Sequence, residues 1–125
     1  MGIIRLVKGG RIMAFVKNED KVLLVLEGEV ANAMRENTTD GALEKHVPVV
    51  TFDGETMHVE VGSVHHPMTE PHYIGFIYVE TKDGGMYKTL DHTGEPVADF
   101  KVAKDDVVAV YEYCNLHGLW KVAVE

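Results

Sequence analysis

Short apolar runs separated by turn residues recur along most of the chain, and this pattern constrains the fold more than any other feature. Two runs near the start, residues 11–16 and 21–26, predict a hairpin with a loop at residues 17–20. Further runs lie at residues 47–52, 55–61, 73–81, 86–90, 99–103, 107–113 and 119–124. Their spacing is typical of an antiparallel β-sandwich, so the predicted fold class is all-β with a small N-terminal β appendage.

Two glycine-containing turns support the assignment of strands. Asp53-Gly54 and Asp83-Gly84-Gly85 are the residue types of tight hairpin turns. Between them, residues 55–61 alternate, with Met57, Val59 and Val61 on one predicted face. Such alternation indicates a strand with one buried face.

The segment between the first hairpin and the later strands is small and polar. Residues 28–42 are interpreted as a linker, although residues 31–35 are also compatible with a single helical turn. We therefore divide the chain into a small β region at residues 1–36 and a sandwich at residues 37–125. The first region is too small to bury a sizeable core alone, so we expect it to pack on the main domain or on a second subunit.

Charge and cysteine content limit the classes of function. The net charge of −8 disfavours nucleic acid and anionic membranes as partners, because both are recognised by clustered Lys and Arg. The opening residues lack the long apolar run of a signal peptide. With a single cysteine in 125 residues, we expect a reducing, cytoplasmic location.

That single cysteine, Cys114, stands three residues before His117 in a predicted turn. It cannot form an internal disulfide, but it can supply one thiolate to a mixed nitrogen–sulfur metal site. Further histidines, His46, His65, His66 and His72, lie in a stretch that is rich in turn residues. One thiolate with several imidazoles suits iron or copper better than an all-thiolate structural zinc site. The sequence therefore predicts a redox-active mononuclear metal centre.

The histidines differ in how well their positions can be assigned. His66 and His72 flank a loop that Pro67 and Pro71 stiffen, whereas spacing alone cannot choose between His65 and His66. His58 lies on the polar face of an alternating strand, where we expect it to be solvated. His92 follows Asp91 in a predicted turn. The alternative for each histidine is an ordinary surface or hydrogen-bonded residue.

Four separate motifs, in the same order, resemble the superoxide reductases of the desulfoferrodoxin/neelaredoxin family. They are Glu44-Lys45-His46-Val47-Pro48, Gly62-Ser63-Val64-His65-His66-Pro67-Met68, His72-Tyr73-Ile74 and Tyr113-Cys114-Asn115-Leu116-His117-Gly118. The resemblance runs from about residue 36 to the C-terminus. It implies an immunoglobulin-like sandwich that holds one iron per chain.

The resemblance also implies roles for individual residues. The equatorial iron ligands would be His46, His66, His72 and His117, and the axial ligand would be Cys114. Lys45 would guide superoxide and help to stabilise the bound peroxide, and Glu44 would occupy the open position when the iron is ferric. His65 departs from the family pattern, which usually has a small residue there.

The implied reaction is the one-electron reduction of superoxide to hydrogen peroxide, with an external, rubredoxin-like protein as electron donor. Larger members of the family carry a second iron on four cysteines near the N-terminus, and no cysteine precedes Cys114 here. Residues 1–36 would then be a metal-free remnant of that small domain. We expect it to survive as a dimerisation element in a homodimer or higher homo-oligomer.

Three other functions compete with this interpretation. A blue-copper carrier usually places Cys, His and Met within a few residues, but no Met follows His117. An immunoglobulin-like interaction module with incidental histidines would bind no metal. A redox sensor or carrier would keep the iron but would not reduce superoxide in steady state.

Overall fold

The computed structural model describes residues 13–26, 28, 30–40 and 46–125. The chain divides into two compact units, residues 1–35 and residues 36–125. Across the described part of the chain, no helix has the length and apolar character needed to cross a membrane.

The described part of the first unit is a β-hairpin with a returning segment. Strand β1 spans Ala14–Asn18 and pairs antiparallel with β2, Lys21–Val25. Residues 31–35 do not form the helical turn that was one option. Instead Ala33 forms a bridge with Val16, and the Met34 amide donates a 2.7 Å hydrogen bond to the Phe15 carbonyl. The predicted hairpin is confirmed, while the predicted start of its first strand lies outside the described residues.

The larger sheet of the second unit has five strands in the order β3-β10-β9-β6-β7. Strands β6, Ile74–Thr81, and β7, Gly84–Thr89, form a hairpin, as do β9, Val107–Cys114, and β10, Gly118–Ala123. Strand β3, Glu36–Asn37, pairs in parallel with β10 and was not predicted, because it has only two residues, both polar. The Asn37 side-chain amide donates to the Leu119 carbonyl and helps to hold this edge.

The smaller sheet has three antiparallel strands in the order β4-β5-β8. Strand β4 spans Pro48–Asp53 and β5 spans Thr56–Val61, and between them Gly54 adopts a positive φ of 62°. Strand β8 spans Val97–Lys101, two residues earlier than predicted. Its position is fixed by pairing with β5 from Glu60↔Val97 to Thr56↔Lys101.

One apolar core lies between the two sheets and makes them a sandwich. The alternation predicted for β5 is observed, since Met57, Val59 and Val61 are fully buried. The remaining buried members of the same cluster come from both sheets: Ile74, Ile77, Val79, Ala98, Phe100, Val107, Val110 and Cys114. The all-β sandwich is therefore confirmed, and Cys114 belongs to the core as well as to the end of a strand.

The strand directions bring several loops to one end of the sandwich. In the smaller sheet, Pro48 at the start of β4 is paired with Val61 at the end of β5. In the larger sheet, Ile74 at the start of β6 and Gly118 at the start of β10 are both paired with Cys114. Residues that flank these strand ends are consequently close in space, although they are far apart in the chain.

Candidate metal centre

Five side chains from four chain segments converge at this end of the sandwich. His46 precedes β4, His66 follows β5 and His72 precedes β6. Cys114 ends β9, and His117 lies in the turn between β9 and β10. One nitrogen from each histidine and the Cys114 sulfur all lie within 4.8 Å of one another. The structure thus brings together the five residues that the family resemblance implied as ligands, and His65, which the spacing left open, is not among them.

The four imidazole rings follow one another around a common centre. Their centroids are separated by 4.7 Å for His46–His66, 4.6 Å for His66–His72, 5.0 Å for His72–His117 and 4.9 Å for His117–His46. Adjacent rings are inclined by 59° to 82° and do not stack face to face. Edge-to-face rings at these separations also occur in ordinary aromatic clusters, so the positions of the nitrogen atoms decide whether the rings surround a metal site.

The nitrogen spacing fits a single metal ion. His46 Nε2 lies 3.1 Å from His66 Nε2 and 3.2 Å from His117 Nδ1. Two nitrogens at right angles, each about 2.1 Å from one ion, would be separated by about 3 Å. The Cys114 sulfur is 3.7 Å from His117 Nδ1, a separation that bonds of about 2.3 Å to sulfur and about 2.1 Å to nitrogen can span when the angle between them is wider than a right angle. A borderline-soft first-row ion such as iron matches this donor set.

A backbone carbonyl orients one of the rings. His66 Nδ1 lies 2.7 Å from the Pro67 carbonyl oxygen, which can only accept, so Nδ1 carries the proton. The lone pair of His66 is then on Nε2, the atom that faces His46. Metal-binding histidines commonly have their second nitrogen held in this way.

Asn115 ties the His72 loop to the turn after Cys114. Its carboxamide oxygen accepts a 2.9 Å hydrogen bond from the Tyr73 amide, and its NH2 group donates to the Pro71 carbonyl at 3.0 Å. The two partners stand on either side of His72 in the chain. Asn115 carried no sequence signal for this role, because Asn in a turn usually bonds to its own neighbouring backbone, whereas both partners here are more than forty residues away.

Asp40 has a similar role for His46. One Asp40 carboxylate oxygen accepts hydrogen bonds from the backbone amides of His46 and Val47. The carboxylate therefore fixes the backbone at the entry to β4. Asp40 appeared in the sequence only as part of a polar linker, so its role was missed.

Trp120, the only tryptophan, packs directly on a candidate ligand. Its ring lies 4.5 Å from the His46 ring at an interplanar angle of 12°. The indole N–H also donates a 3.2 Å hydrogen bond to the His117 carbonyl. One side chain thus contacts two of the five residues, and the sequence offered no pattern that would have assigned it this role.

A buried acid lies close to the thiol along the same strand. Glu112 is fully buried, and neither of its carboxylate oxygens has a hydrogen-bond partner in the described part of the chain. Burial raises the pKa of Glu112 well above its ordinary value, and the charge of Asp40 acts in the same direction. The neutral form of the Glu112 side chain is therefore favoured at this buried position.

His65 and His58, the other histidines considered from the sequence in this region, lie outside the five-residue pocket. His65 is exposed and faces Glu60 and Glu95, whereas the adjacent His66 is buried in the pocket. His58 was expected to be merely solvated, but its ring contacts the carboxylates of Asp99 and Glu60. These two contacts, chiefly the one with Asp99, raise the pKa of His58.

The three remaining residues that were considered from the sequence are His92, Glu44 and Lys45. His92 lies in the turn that the sequence predicted, closed by a hydrogen bond from the Gly94 amide to the Asp91 carbonyl. Glu44 and Lys45, which the resemblance assigned to the reaction, lie outside the described residues.

Comparisons with protein families, with individual sequences and with solved structures all give the same family. The family described as Desulfoferrodoxin matches residues 38–123. The desulfoferrodoxin of Nitratidesulfovibrio vulgaris is 50% identical over 99 residues, covering 78% of this chain and 77% of that protein. The crystal structure of the superoxide reductase from Treponema pallidum has a TM-score of 0.77 at 36% identity, covering 90% and 99% of the two chains. A 1Fe superoxide reductase from Giardia intestinalis has a TM-score of 0.55 at 37% identity, covering 66% and 98%.

The contacts of Trp120 lead to a prediction about metal retention. Replacing Trp120 by Leu removes both the ring that packs on His46 and the donor to the His117 carbonyl. We expect the affinity for Fe²⁺ to fall about tenfold, as for other groups that orient metal ligands. Competition against a calibrated chelator measures this affinity.

Trp120→Phe is the matched control, because it retains an aromatic ring against His46 and loses only the N–H donor. Its affinity should lie between those of the wild type and Trp120→Leu. Wild-type affinity in a correctly folded Trp120→Leu variant would show that Trp120 does not position the ligands.

Proposed function

The chain belongs to the desulfoferrodoxin family, and we propose that it is a superoxide reductase whose single iron is held by five side chains, those of His46, His66, His72, Cys114 and His117. The observation that carries this proposal is the convergence of four imidazoles and the only thiol within 4.8 Å. In an interaction module whose histidines are incidental, four imidazole nitrogens would not be expected to converge on one point. The blue-copper alternative fits poorly, because such a site uses two histidines.

Iron bound in this pocket would supply the electron that, together with two protons, converts superoxide to hydrogen peroxide. The protein determines the side from which superoxide can reach the iron. Cys114 is fully buried, while His117 and the adjacent Leu116 are exposed. A small anion from solvent would consequently approach on the His117 side, away from the sulfur.

We further propose that Lys45 attracts superoxide and that Glu44 is the carboxylate that binds the oxidised centre. Support comes from the family motif and from the chain itself, since Lys45 directly precedes the buried His46. The protein carries a net charge of −8, so an anionic substrate needs a local positive charge. At physiological salt, acidic residues farther than about 8–10 Å from the site are largely screened, so they do little to repel superoxide.

The electron donor is proposed to be a separate, rubredoxin-like protein. A second centre with four thiolates cannot form in this sequence, because Cys114 is the only cysteine. We interpret residues 1–36 as a metal-free counterpart of the small domain that carries such a centre in larger relatives. A lone cysteine, which cannot form a disulfide within the chain, also agrees with a reducing cytoplasm as the compartment.

The test of the proposed function combines metal analysis with a superoxide assay. Purified protein reconstituted with Fe²⁺ should contain one iron per chain and develop a thiolate-to-iron absorption band on oxidation. With a reduced rubredoxin as donor, each superoxide should yield one hydrogen peroxide and oxidise one donor. Dismutation, in contrast, would yield half as much peroxide and oxidise no donor.

Cys114→Ser provides the matched variant for this experiment. Because it removes the only thiolate, the absorption band should disappear even where some iron remains bound. A wild-type protein that takes up no iron under anaerobic reconstitution, or that dismutates superoxide without a donor, would contradict the proposal.

Lys45→Ala tests the proposed role of the lysine. Loss of the positive charge should slow the second-order reaction with superoxide about tenfold and flatten its dependence on ionic strength. Pulse radiolysis at several salt concentrations measures both quantities. Lys101→Ala removes the same charge from the exposed face of β8 and should leave the rate unchanged; equal rates for all three proteins would remove Lys45 from the reaction.

We also propose that the protein is a homodimer or higher homo-oligomer that associates through its N-terminal unit. Leu23 and Leu26 in this unit are large apolar side chains exposed to solvent. Replacing both by Ser should lower the molar mass measured by light scattering to that of a monomer. Tyr87→Ser, at an exposed position of the second unit, is the control; an unchanged mass in the double variant would contradict the proposal.

A further inference from the structure

The chain segments around the five-residue pocket carry almost no charge. Lys, Arg, Asp and Glu make up 26% of the chain, yet Glu70 is the only one of them in residues 61–79 and 113–120. Four of the five candidate ligands lie in these two segments: His66, His72, Cys114 and His117. A partner that binds beside the pocket would therefore meet these segments chiefly through uncharged groups, although the whole protein has a net charge of −8.

Two apolar side chains in these segments are exposed to solvent near the pocket. Pro71 is exposed in the loop before β6, and Leu116 is 60% exposed in the turn between β9 and β10. One exposed leucine is ordinary on a protein surface. Leu116, however, adjoins His117, which is itself exposed and is one of the five pocket residues. An apolar surface beside an exposed ligand suits a partner that exchanges electrons with the bound metal.

We propose that Pro71, Leu116 and the exposed His117 form the docking surface for the electron donor, a small redox protein whose own metal lies beneath an uncharged, apolar patch. This inference rests on the proposed function, and it adds the place where the donor binds and the side chain through which the electron enters. One electron leaves the donor and reduces the oxidised centre, and no bond is formed or broken. Electron transfer slows steeply with distance, so docking at an exposed ligand gives a short path.

Hydrogen bonds between the two segments hold this docking surface in shape. The Asn115 side chain donates to the Pro71 carbonyl at 3.0 Å, and the Asn115 amide donates to the Tyr73 carbonyl at 3.2 Å. Within the loop before β6, the backbones of Thr69 and His72 exchange hydrogen bonds of 2.9 and 3.2 Å. A surface that is already fixed loses little conformational entropy when a partner binds.

The small apolar area suits a transient complex. Electron-transfer complexes commonly bury less than about 1,200 Å² in total, and the donor must leave after each turnover. Superoxide would reach the pocket from the same side. The two reactants use this side in turn, because superoxide reacts with the reduced centre and the donor reacts with the oxidised one.

Binding is tested with ¹⁵N-labelled rubredoxin in which zinc replaces iron, because this probe docks without transferring an electron. Titration with the iron-loaded protein gives the dissociation constant from the chemical-shift changes of the probe. Leu116→Ser should raise this constant about fivefold, as for loss of a central interface side chain. Leu116→Met keeps an apolar side chain and should restore the wild-type value. Added salt should not weaken the complex, because the contact is apolar.

Tyr87→Ser is the matched control, because Tyr87 is 68% exposed on β7 and lies outside both segments. It should bind the probe as the wild type does. Electron transfer is measured in parallel, as the ratio of the rate constants for reduction of the oxidised centre by native rubredoxin and by ascorbate. This ratio should fall about fivefold in Leu116→Ser and stay unchanged in Tyr87→Ser.

The proposal is overturned if the wild type does not bind the probe, if Leu116→Ser binds it equally well, or if Tyr87→Ser weakens binding to the same extent. A complex that weakens steeply with added salt would also overturn it, because the donor would then dock through charges. The reaction of pre-reduced protein with superoxide needs no donor and tests the proposed function separately. A normal superoxide rate with unaltered binding in Leu116→Ser would place the donor elsewhere and leave the reductase proposal standing.

Discussion

The register of β9 between β6 and β10 determines where three of the five pocket residues lie. Cys114 is paired with Ile74 on one side and with Gly118 on the other. His72 stands two residues before Ile74, and His117 immediately precedes Gly118. Side chains in a strand alternate between faces, so a slip of one residue would turn Cys114 away from the core. Backbone hydrogen bonds of an ordinary sheet thus set the geometry of the pocket.

The smaller sheet contributes the other two residues by the same principle. His46 and His66 flank the hairpin ends that the Pro48↔Val61 pair holds together. Each sheet therefore supplies part of the donor set, and the apolar core between the sheets keeps the two parts in place. Asp40, Asn115 and Trp120 then fix the local orientation. A metal bound here would also link four chain segments, so its binding free energy would add to the stability of the fold.

Much of the fold could be predicted because the relevant signals are local. Alternation identified β5, and Asp53-Gly54 identified the hairpin before it. In contrast, β3 depends on a partner more than eighty residues later in the chain, Leu119↔Glu36, and nothing in its own two polar residues indicates a strand. The shift of β8 has the same origin, because its limits follow from pairing with β5 and not from its own apolar residues.

The pocket was predictable only in part. Spacing could not distinguish His65 from His66, because their orientations depend on the hydrogen bond between His66 and Val61. The roles of Asp40 and Trp120 arise from contacts between distant segments and carry no local signal. Glu112 is different, because an acid among the apolar residues of a predicted strand is itself an anomaly that marks a special environment.

The solitary thiol has a chemical consequence for an enzyme that would release peroxide from the same pocket, on the side away from the sulfur. Oxidation of Cys114 to a sulfenic acid could not be resolved within the chain, since there is no second cysteine to form a disulfide. Repair would have to come from a small thiol in solution, and complete burial of the sulfur keeps such a molecule out. Burial that protects Cys114 from oxidants would also prevent reduction of an oxidised Cys114. The rate at which Cys114 is oxidised would therefore set how long each molecule stays active.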